Sequence, residues 1–585
     1  LPPDATRQGL SELVARSLVQ RRLRPDPQLA LLAMVRTFVG SRQPPTGLEA
    51  ARLRHADYIA DVLPVDPTRL PEIRAALRYA ILRADTGRVA RLLEQARYVL
   101  VRQGPFAELL ELADEVLELD SLSDADRDRA LLVKATALSA KGETAAARSV
   151  LEGVLERAVA AEDAELQMRA SHRLGTIERH AGRLPESIQA LRSALDLSRA
   201  LGHRAREADL LAELGITQGH TGDATACELQ LRKALAIHRE DNDRSAACTT
   251  LSSLGPTLYR RGDIAAAHQA FEEALGLAQE LGQRTTEAVV RGNLGVLHVD
   301  QANYPEALSQ LTRALQLHRE MGHRKAEGRD LTNLGLVHSY LGHHAQSVRL
   351  LREACAIHRE TGDRIQETDT LGHLGSVLLE GGDLDEARQV LDQTLGYARD
   401  LGRRFREAVV QSVLATIDEI DGDWEQARWR LREAIATHRT LGRPRSEAVC
   451  QHGLARVMMR RGDEAEARQL LARALTMHRQ VGNVVDEAGA LGLRARLDAR
   501  QGRFRAARWA LERAKERLES VGSPEAHALL LADRAEVQAL RGNTEAAWAT
   551  LEQAEQQDTA QAFFVQRRLE EVRAAYALCE DGSEP

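Results

Sequence analysis

The sequence predicts an all-α fold, a right-handed superhelical solenoid of stacked helix pairs, and a ladder of glycines is the first observation behind this prediction. Glycine recurs every forty residues from Gly142 to Gly542, and the one position that lacks it is Ala302. A fixed period of this length is typical of proteins in which each repeat forms one supersecondary unit. The repeat turn at Ala302 is therefore expected to depart from its neighbours.

Composition is the second observation. Aromatic residues make up 3% of the 585 residues and charged residues 28%, while Ala, Leu, Arg and Glu, which favour helices, are abundant. The net charge of -7 with interspersed signs indicates neither nucleic-acid binding nor attachment to an anionic membrane. Five widely spaced cysteines without a CxxC motif predict reduced thiols and a cytoplasmic protein. The chain starts at Leu1, so we expect a fragment of a longer protein.

Residues 1–66 contain a predicted β-hairpin between helices. Residues 17–24 and 28–33 have strand character, and Pro25-Asp26-Pro27 between them breaks any helix. The order of segments over residues 8–62 resembles the end of the winged-helix module in bacterial signal-transduction ATPases of the STAND class. In that class the module follows a nucleotide-binding domain and precedes a repeat array. The alternative is an irregular helical cap with one hairpin, whose arginines, Arg21 among them, form a solvated strand face rather than a DNA-binding surface.

Residues 67–124 are predicted to link this region to the repeats. Helical periodicity covers about 69–85, 88–103 and 105–119. These segments have the character of degenerate repeats.

Residues 125–560 divide into eleven repeats of two helices, followed by a capping helix and tail at 561–585. Helix A carries a Leu-Gly pair such as Leu294-Gly295, and helix B carries small residues such as Ala307 and Ala314. Small side chains at these spacings let neighbouring helices approach closely. The pattern resembles the tetratricopeptide repeat in its forty-residue, long-helix form, although the usual Trp and Tyr of helix A are mostly absent.

The resemblance implies a binding groove. In this repeat family helix A lines the concave face, and the residues two and three positions before the glycine point into it. Related long-repeat adaptors clamp a peptide backbone with Asn at this phase, a role carried over to Asn293 and Asn333. A basic stretch in the later repeats is expected to receive an acidic partner segment. The predicted groove residues are Ser252, Ser253, Asn293, Thr332, Asn333, Tyr340, His373, Arg456, Arg460, Arg496 and Arg500. The alternative is that polar residues line any solvated solenoid interior.

Two further repeated patterns are interpreted as structural. In five loops an Arg precedes a Glu by three positions, as in Arg204 and Glu207, which predicts local ion pairs. In five repeats a histidine recurs near the end of helix B, where a partly charged imidazole suits the helix dipole. Equivalent positions of packed helices lie about 8–10 Å apart, too far for one zinc ion to join them. These histidines are His238, His318, His358, His438 and His478.

No phosphate-binding loop, nucleophile elbow or metalloprotease motif occurs in the sequence. We therefore expect no enzyme activity, no cofactor and no metal. The primary hypothesis is a protein- or peptide-binding repeat domain that serves as the sensor or regulatory region of a STAND-type signalling ATPase, with a nucleotide-binding domain of the same chain as a further partner. The alternative is a stand-alone tetratricopeptide scaffold that binds peptides without a nucleotide switch. Neither hypothesis includes nucleic acid or membrane binding.

Overall fold

The computed structural model of the chain describes residues 19–22, 28–31, 70–83, 85–103, 106–141, 143–519, 523–557 and 562–580. It divides into two compact units, Leu1–Asp263 and Ile264–Pro585. Each unit is described by itself below.

The first unit begins with a short hairpin. Strand β1 (Val19–Arg22) pairs antiparallel with strand β2 (Gln28–Leu31), and Val19 lies opposite Leu31. The predicted hairpin is thus confirmed. The helices predicted around it, and with them most of the winged-helix assignment, lie outside the described residues.

Ten helices follow in the described part of the first unit. They are α1 (Leu70–Leu82), α2 (Thr86–Gln103), α3 (Phe106–Leu117), α4 (Asp124–Ala140), α5 (Thr144–Ala160), α6 (Ala164–His180), α7 (Leu184–Ala200), α8 (Arg204–His220), α9 (Ala224–Glu240) and α10 (Arg244–Arg260). The first three correspond to the helical segments predicted at 69–85, 88–103 and 105–119.

The described part of the second unit contains sixteen helices. They are α11 (Ile264–Glu280), α12 (Arg284–Asp300), α13 (Tyr304–Met321), α14 (Arg324–Tyr340), α15 (His344–Glu360), α16 (Arg364–Glu380), α17 (Leu384–Asp400), α18 (Arg404–Asp421), α19 (Trp424–Thr440), α20 (Pro444–Arg461), α21 (Glu464–Gln480), α22 (Val484–Arg500), α23 (Phe504–Leu518), α24 (Pro524–Leu540), α25 (Thr544–Glu555) and α26 (Phe563–Glu580). None of the described helices is both long and apolar enough to cross a bilayer.

Within each unit, consecutive helices pack against each other and helix A also contacts the next helix A. The Leu-Gly pair explains the close packing. A Cβ atom at Gly295 would lie 2.5 Å from Cγ of Leu311, so only glycine leaves room for this buried leucine of helix B. In another repeat the hydroxyl of Ser347 donates to the carbonyl oxygen of Gly335 at 2.7 Å. The predicted all-α solenoid of stacked helix pairs is confirmed within each unit.

The glycine that recurs every forty residues lies in the turn between helix A and helix B. Gly262 has a φ of 83°, the left-handed conformation that ends a helix. Ala302 adopts the same conformation with a φ of 55°, and the amide of Asn303 donates to the carbonyl of His298 at 2.9 Å, as Asp263 does to Leu258 at 3.1 Å. The expectation that the turn at Ala302 departs from its neighbours is therefore wrong, because the backbone hydrogen bonds impose one turn geometry on either residue type.

The repeated Arg and Glu residues pair differently from the prediction. Of the five expected local pairs, only Arg324 with Glu327, at 2.7 Å, forms among the described residues. Glu287 pairs with Arg291 at 2.9 Å. Six glutamates at the equivalent position accept from an arginine eight positions earlier, at the end of the preceding helix B, because the tight turn brings those two helix ends together. These pairs, with N–O distances of 2.7–2.9 Å, are Arg199–Glu207, Arg319–Glu327, Arg359–Glu367, Arg399–Glu407, Arg439–Glu447 and Arg479–Glu487.

Candidate functional site

In the second unit, the face of helix A that the resemblance predicts to line the groove is the candidate binding surface, and the Leu-Gly pair orients it. Leu294 and Leu334 are buried in the core, so the residues just before them lie toward the edge of that core. Asn293 on α12 and Asn333 on α14 are half-buried at equivalent positions of successive repeats. Neither side-chain amide hydrogen-bonds to a residue that the structure describes, so each keeps its donors and its acceptor for a ligand.

Thr332 and His373 are two further predicted groove residues. The hydroxyl of buried Thr332 donates to the carbonyl oxygen of Gly328 at 3.0 Å and hydrogen-bonds to the hydroxyl of Thr370 at 3.0 Å. His373 is half-buried on α16. Burial and the neighbouring guanidinium of Arg406 lower the pKa of His373 to about 4. His373 is therefore a neutral hydrogen-bonding group at pH 7, and Thr332 belongs to the packing beneath the surface.

Tyr340 at the end of α14 has an exposed aromatic ring. Its ring stacks on Tyr304 with centroids 5.8 Å apart and an interplanar angle of 23°, while 57% of the residue remains exposed. Burial and the neighbouring Tyr304 raise the pKa of the Tyr340 hydroxyl. Tyr340 therefore offers a neutral donor and a ring face.

Ser252 and Ser253 lie on α10 of the first unit and are half-buried. Their hydroxyls donate to the carbonyl oxygen of Thr249 at 2.7 and 3.3 Å. Each hydroxyl oxygen retains its accepting lone pairs. These two serines are placed within the first unit only.

Each arginine of the predicted basic stretch pairs with a carboxylate of the chain itself. Arg456 pairs with Glu419 at 2.8 Å, and Arg460 pairs with Glu571 on α26. The other two arginines share one partner on α24. Arg496, which is 5% exposed, and Arg500 contact Glu536 at 2.8 and 3.4 Å.

Helix α26 occupies the inward surface of these later repeats. Phe563 lies against Gly382, where an added Cβ would be 2.9 Å from the phenyl ring. Arg567 donates to the carbonyl oxygen of Ile420 at 3.2 Å. A cavity of about 420 Å³ remains between Phe564, Trp424 and the surrounding charged residues. The C-terminal end of the candidate surface is thus covered by the chain itself, and its uncovered part runs through α12, α14 and α16.

The first unit holds a cavity of about 480 Å³ that sequence reasoning missed as a site. Its lining includes Arg97, Arg169, Arg173 and Arg206 from α2, α6 and α8. Arg169 and Arg173 are four positions apart on one helix, so a shared basic face was visible in the sequence. The contribution of Arg97 was not visible, because α2 precedes the regular forty-residue register.

The histidine row is buried in the core. All five side chains are 4% exposed or less, and burial lowers the pKa of His358, His438 and His478. The interpretation of a partly charged imidazole is therefore wrong for these three residues, because desolvation outweighs the helix dipole. In the part of the chain that the structure describes, no group of three or more His, Cys, Asp or Glu side chains is placed to hold a metal ion.

Comparison with known families identifies the repeats. Tetratricopeptide repeat models match residues 286–360 and 330–400, residues 132–201, and residues 248–281 and 448–481. The chain therefore contains tetratricopeptide repeats, as the resemblance implied. No curated protein matches the chain by sequence.

Three of the solved structures that are similar to this chain are compared by identity, TM-score and coverage. The apo form of RapI is 14% identical with a TM-score of 0.47, over 60% of this chain and 98% of its own. The apo form of the quorum sensor NprR from B. thuringiensis is 15% identical with a TM-score of 0.45, over 63% and 97%. A STAND protein with a tetratricopeptide repeat sensor from Pyrococcus horikoshii is 16% identical with a TM-score of 0.44, over 73% of this chain and 57% of its own. At these identities the likeness concerns the fold alone.

Proposed function

We propose that the second unit binds an extended segment of a partner protein along its inward helix-A surface, with Asn293 and Asn333 as the principal polar contacts. The observation that carries this proposal is that both amides are half-buried and lack a hydrogen-bond partner among the described residues. Packed helices lie about 8–10 Å apart, which is the length of about three residues of an extended strand at ~3.3 Å each. Two amides one repeat apart therefore suit backbone groups about three residues apart.

The proposed binding surface ends where the later arginines pair with carboxylates of the chain itself. Since Arg456 and Arg460 are engaged by Glu419 and Glu571, they form the boundary of the site in this proposal. Tyr340 adds an exposed ring on which an apolar or planar side chain of the ligand can stack. The ligand is thus a neutral segment held mainly by its backbone rather than an acidic one.

Removal of both amides tests the proposal. A peptide selected from a random dodecamer library against the intact protein serves as the probe, and isothermal titration measures its affinity. The double variant Asn293→Ala/Asn333→Ala is expected to bind it about 5- to 150-fold more weakly, because two hydrogen bonds of about 0.5–1.5 kcal/mol each are lost.

A matched control separates this effect from a general loss of polar groups. Gln316 and Gln393 carry exposed amides on helix B, bonded only to neighbouring side chains of the same helix. The variant Gln316→Ala/Gln393→Ala is expected to bind the peptide as the wild type does. Equal affinity of the Asn double variant and the wild type would reject the assignment of the groove.

We further propose that the repeats form the sensor region of a STAND-type ATPase in the cytoplasm. The resemblance of residues 8–62 supports this proposal, and the hairpin β1–β2 lies where that resemblance requires one. Four cysteines in the described part of the chain, including Cys227 and Cys450, are buried and form no disulfide, which suits a reducing compartment. The mechanism would be a population shift, in which a ligand that prefers the released arrangement favours the active state.

The product of the complete reading frame distinguishes a sensor from a stand-alone scaffold. A sensor coupled to a nucleotide switch binds the selected peptide with different affinities in ATP and ADP, because coupling between the two sites is reciprocal. Equal affinities in both nucleotides, or a reading frame without a nucleotide-binding domain, would favour the scaffold.

A further inference from the structure

The cavity of about 480 Å³ in the first unit has the size of a small-molecule site. It lies among α2, α4, α6 and α8, and its lining includes the apolar side chains of Met168, Ile177 and Leu210. The hydroxyl groups of Thr136 and Thr176 also reach the lining. The site is separate from the proposed peptide surface, which belongs to the second unit.

Three guanidinium groups of this cavity share one carboxylate. Glu94 contacts Arg97 Nε at 2.6 Å, Arg169 Nη2 at 2.9 Å and Arg173 Nη2 at 3.6 Å. The arginines hold the pKa of Glu94 below its usual value against the opposing effect of its burial. The cluster of one carboxylate and three guanidiniums therefore carries two unbalanced positive charges.

The lining also holds Arg206 and Glu213, whose opposite charges leave the excess of two positive charges unchanged. Glu213 contacts His172 at 3.3 Å and accepts from the hydroxyl of Thr176 at 2.8 Å. Asp209 contacts Arg206 at 3.6 Å, a pair in which both side chains are largely exposed. Each of these acids thus has a partner outside the three-arginine cluster.

Arg173 shows the electrostatic consequence. Burial lowers the pKa of its guanidinium to about 9, and Arg97, Arg169 and Arg206 act in the same direction. Its Nη1 donates to the hydroxyl of Thr136 at 2.9 Å. A charged group held in this way gains from an anion, and guanidinium forks match the oxygen geometry of phosphate and carboxylate groups.

We propose that this cavity binds a small organic anion whose phosphate ester or carboxylate group contacts Arg97, Arg169 and Arg173. The apolar body of the ligand lies against Met168, Ile177 and Leu210. Arg206, which has an exposed guanidinium, lines the mouth and attracts the anion.

Three aromatic probes test the proposal on the full chain at low salt. Phenyl phosphate and phenylacetate carry the two anionic groups, and benzyl alcohol is the neutral analogue. Either anion is expected to raise the melting temperature of the wild type and to bind at least about tenfold more tightly than benzyl alcohol in isothermal titration. The order of the two anions distinguishes a phosphate ester from a carboxylate ligand.

Substitutions locate the site. Arg173→Gln is expected to weaken the preferred anion at least tenfold, and Arg206→Gln, at an exposed position that folding does not require, at least threefold. The control Arg199→Gln removes an exposed arginine that pairs with Glu207 outside the cavity, and it is expected to leave affinity unchanged.

The proposal is overturned if neither anion binds more tightly than benzyl alcohol, or if Arg173→Gln and Arg206→Gln both bind the preferred anion as the wild type does. Asn293→Ala/Asn333→Ala provides an independent reference. It should retain anion binding, so that failure of the peptide site and failure of the anion site are distinguishable.

Discussion

At the scale of single residues, Ala302 shows that the repeat turn keeps its left-handed conformation even where alanine replaces glycine. Its φ of 55° matches those of Asn242 and Glu162, at 55° and 53°, in other turns of the array. The left-handed conformation costs an L-residue roughly 1–2 kcal/mol relative to glycine. Ala302 therefore carries local strain that the flanking helices offset.

Ala302→Gly is expected to stabilise the protein by about 1 kcal/mol, because glycine adopts this conformation without a Cβ penalty. Thermal unfolding followed by circular dichroism measures the effect as a rise in melting temperature. Gly342→Ala is the matched control, since Gly342 has a φ of 74° and no atom within 4 Å of an added Cβ. It should lower the melting temperature, and a lower value for Ala302→Gly as well would contradict the explanation.

At the scale of helices, the distance between helix A and helix B depends on glycine in the middle of helix A. At Gly295 an added Cβ would lie 2.5 and 2.8 Å from Cγ and Cδ2 of Leu311, which is fully buried and cannot swing aside. Gly276 on α11 has no atom within 4 Å of the same position. Two glycines of adjacent helices thus have opposite physical roles.

Gly295→Ala is expected to destabilise the fold by about 1–3 kcal/mol through overpacking. Gly276→Ala is expected to stabilise it by up to about 1 kcal/mol, because alanine has the higher helix propensity. Urea unfolding compares both variants with the wild type. Equal and same-signed effects would show that helix propensity, rather than helix spacing, selects glycine at 295.

At the scale of the whole molecule, ion pairs between buried side chains hold α26 against the rest of the second unit. Glu536 contacts Arg496 at 2.8 Å and also pairs with Arg568 of α26. Although burial acts to raise it, the pKa of Glu536 lies well below its usual range because of these two arginines. The carboxylate therefore contributes stability above about pH 4.5 that is lost as the pH falls below that value.

Glu536→Gln is expected to destabilise the second unit by about 3–5 kcal/mol, the usual cost of removing one partner from a buried charge network. Hydrogen exchange should become faster in residues 563–580, and the loss of stability below pH 4.5 should become shallower than in the wild type. Glu516→Gln, which removes an exposed i,i+3 pair with Arg513, is the control. Unchanged exchange in α26 would contradict the role assigned to Glu536.

The sequence by itself determined the repeat architecture and the positions at which the repeats need glycine. A turn that ends a helix and a helix that packs on its neighbour depend on residues within about forty positions, so their requirements recur as a visible period. The resemblance to the tetratricopeptide repeat predicted Asn293 and Asn333 on the groove side of helix A, and the structure shows both residues half-buried. Whether they bind a peptide remains a prediction.

The tertiary structure alone decided which charges are satisfied. Arg460 and Glu571 are far apart in the sequence, and only the packing of α26 brings them together. The shared carboxylate of Glu94 likewise meets Arg169 through contacts between distant helices. Because Coulomb interactions depend on distance in space rather than along the chain, the sequence did not reveal that the later arginines pair with carboxylates or that a cavity in the first unit collects an excess of arginines.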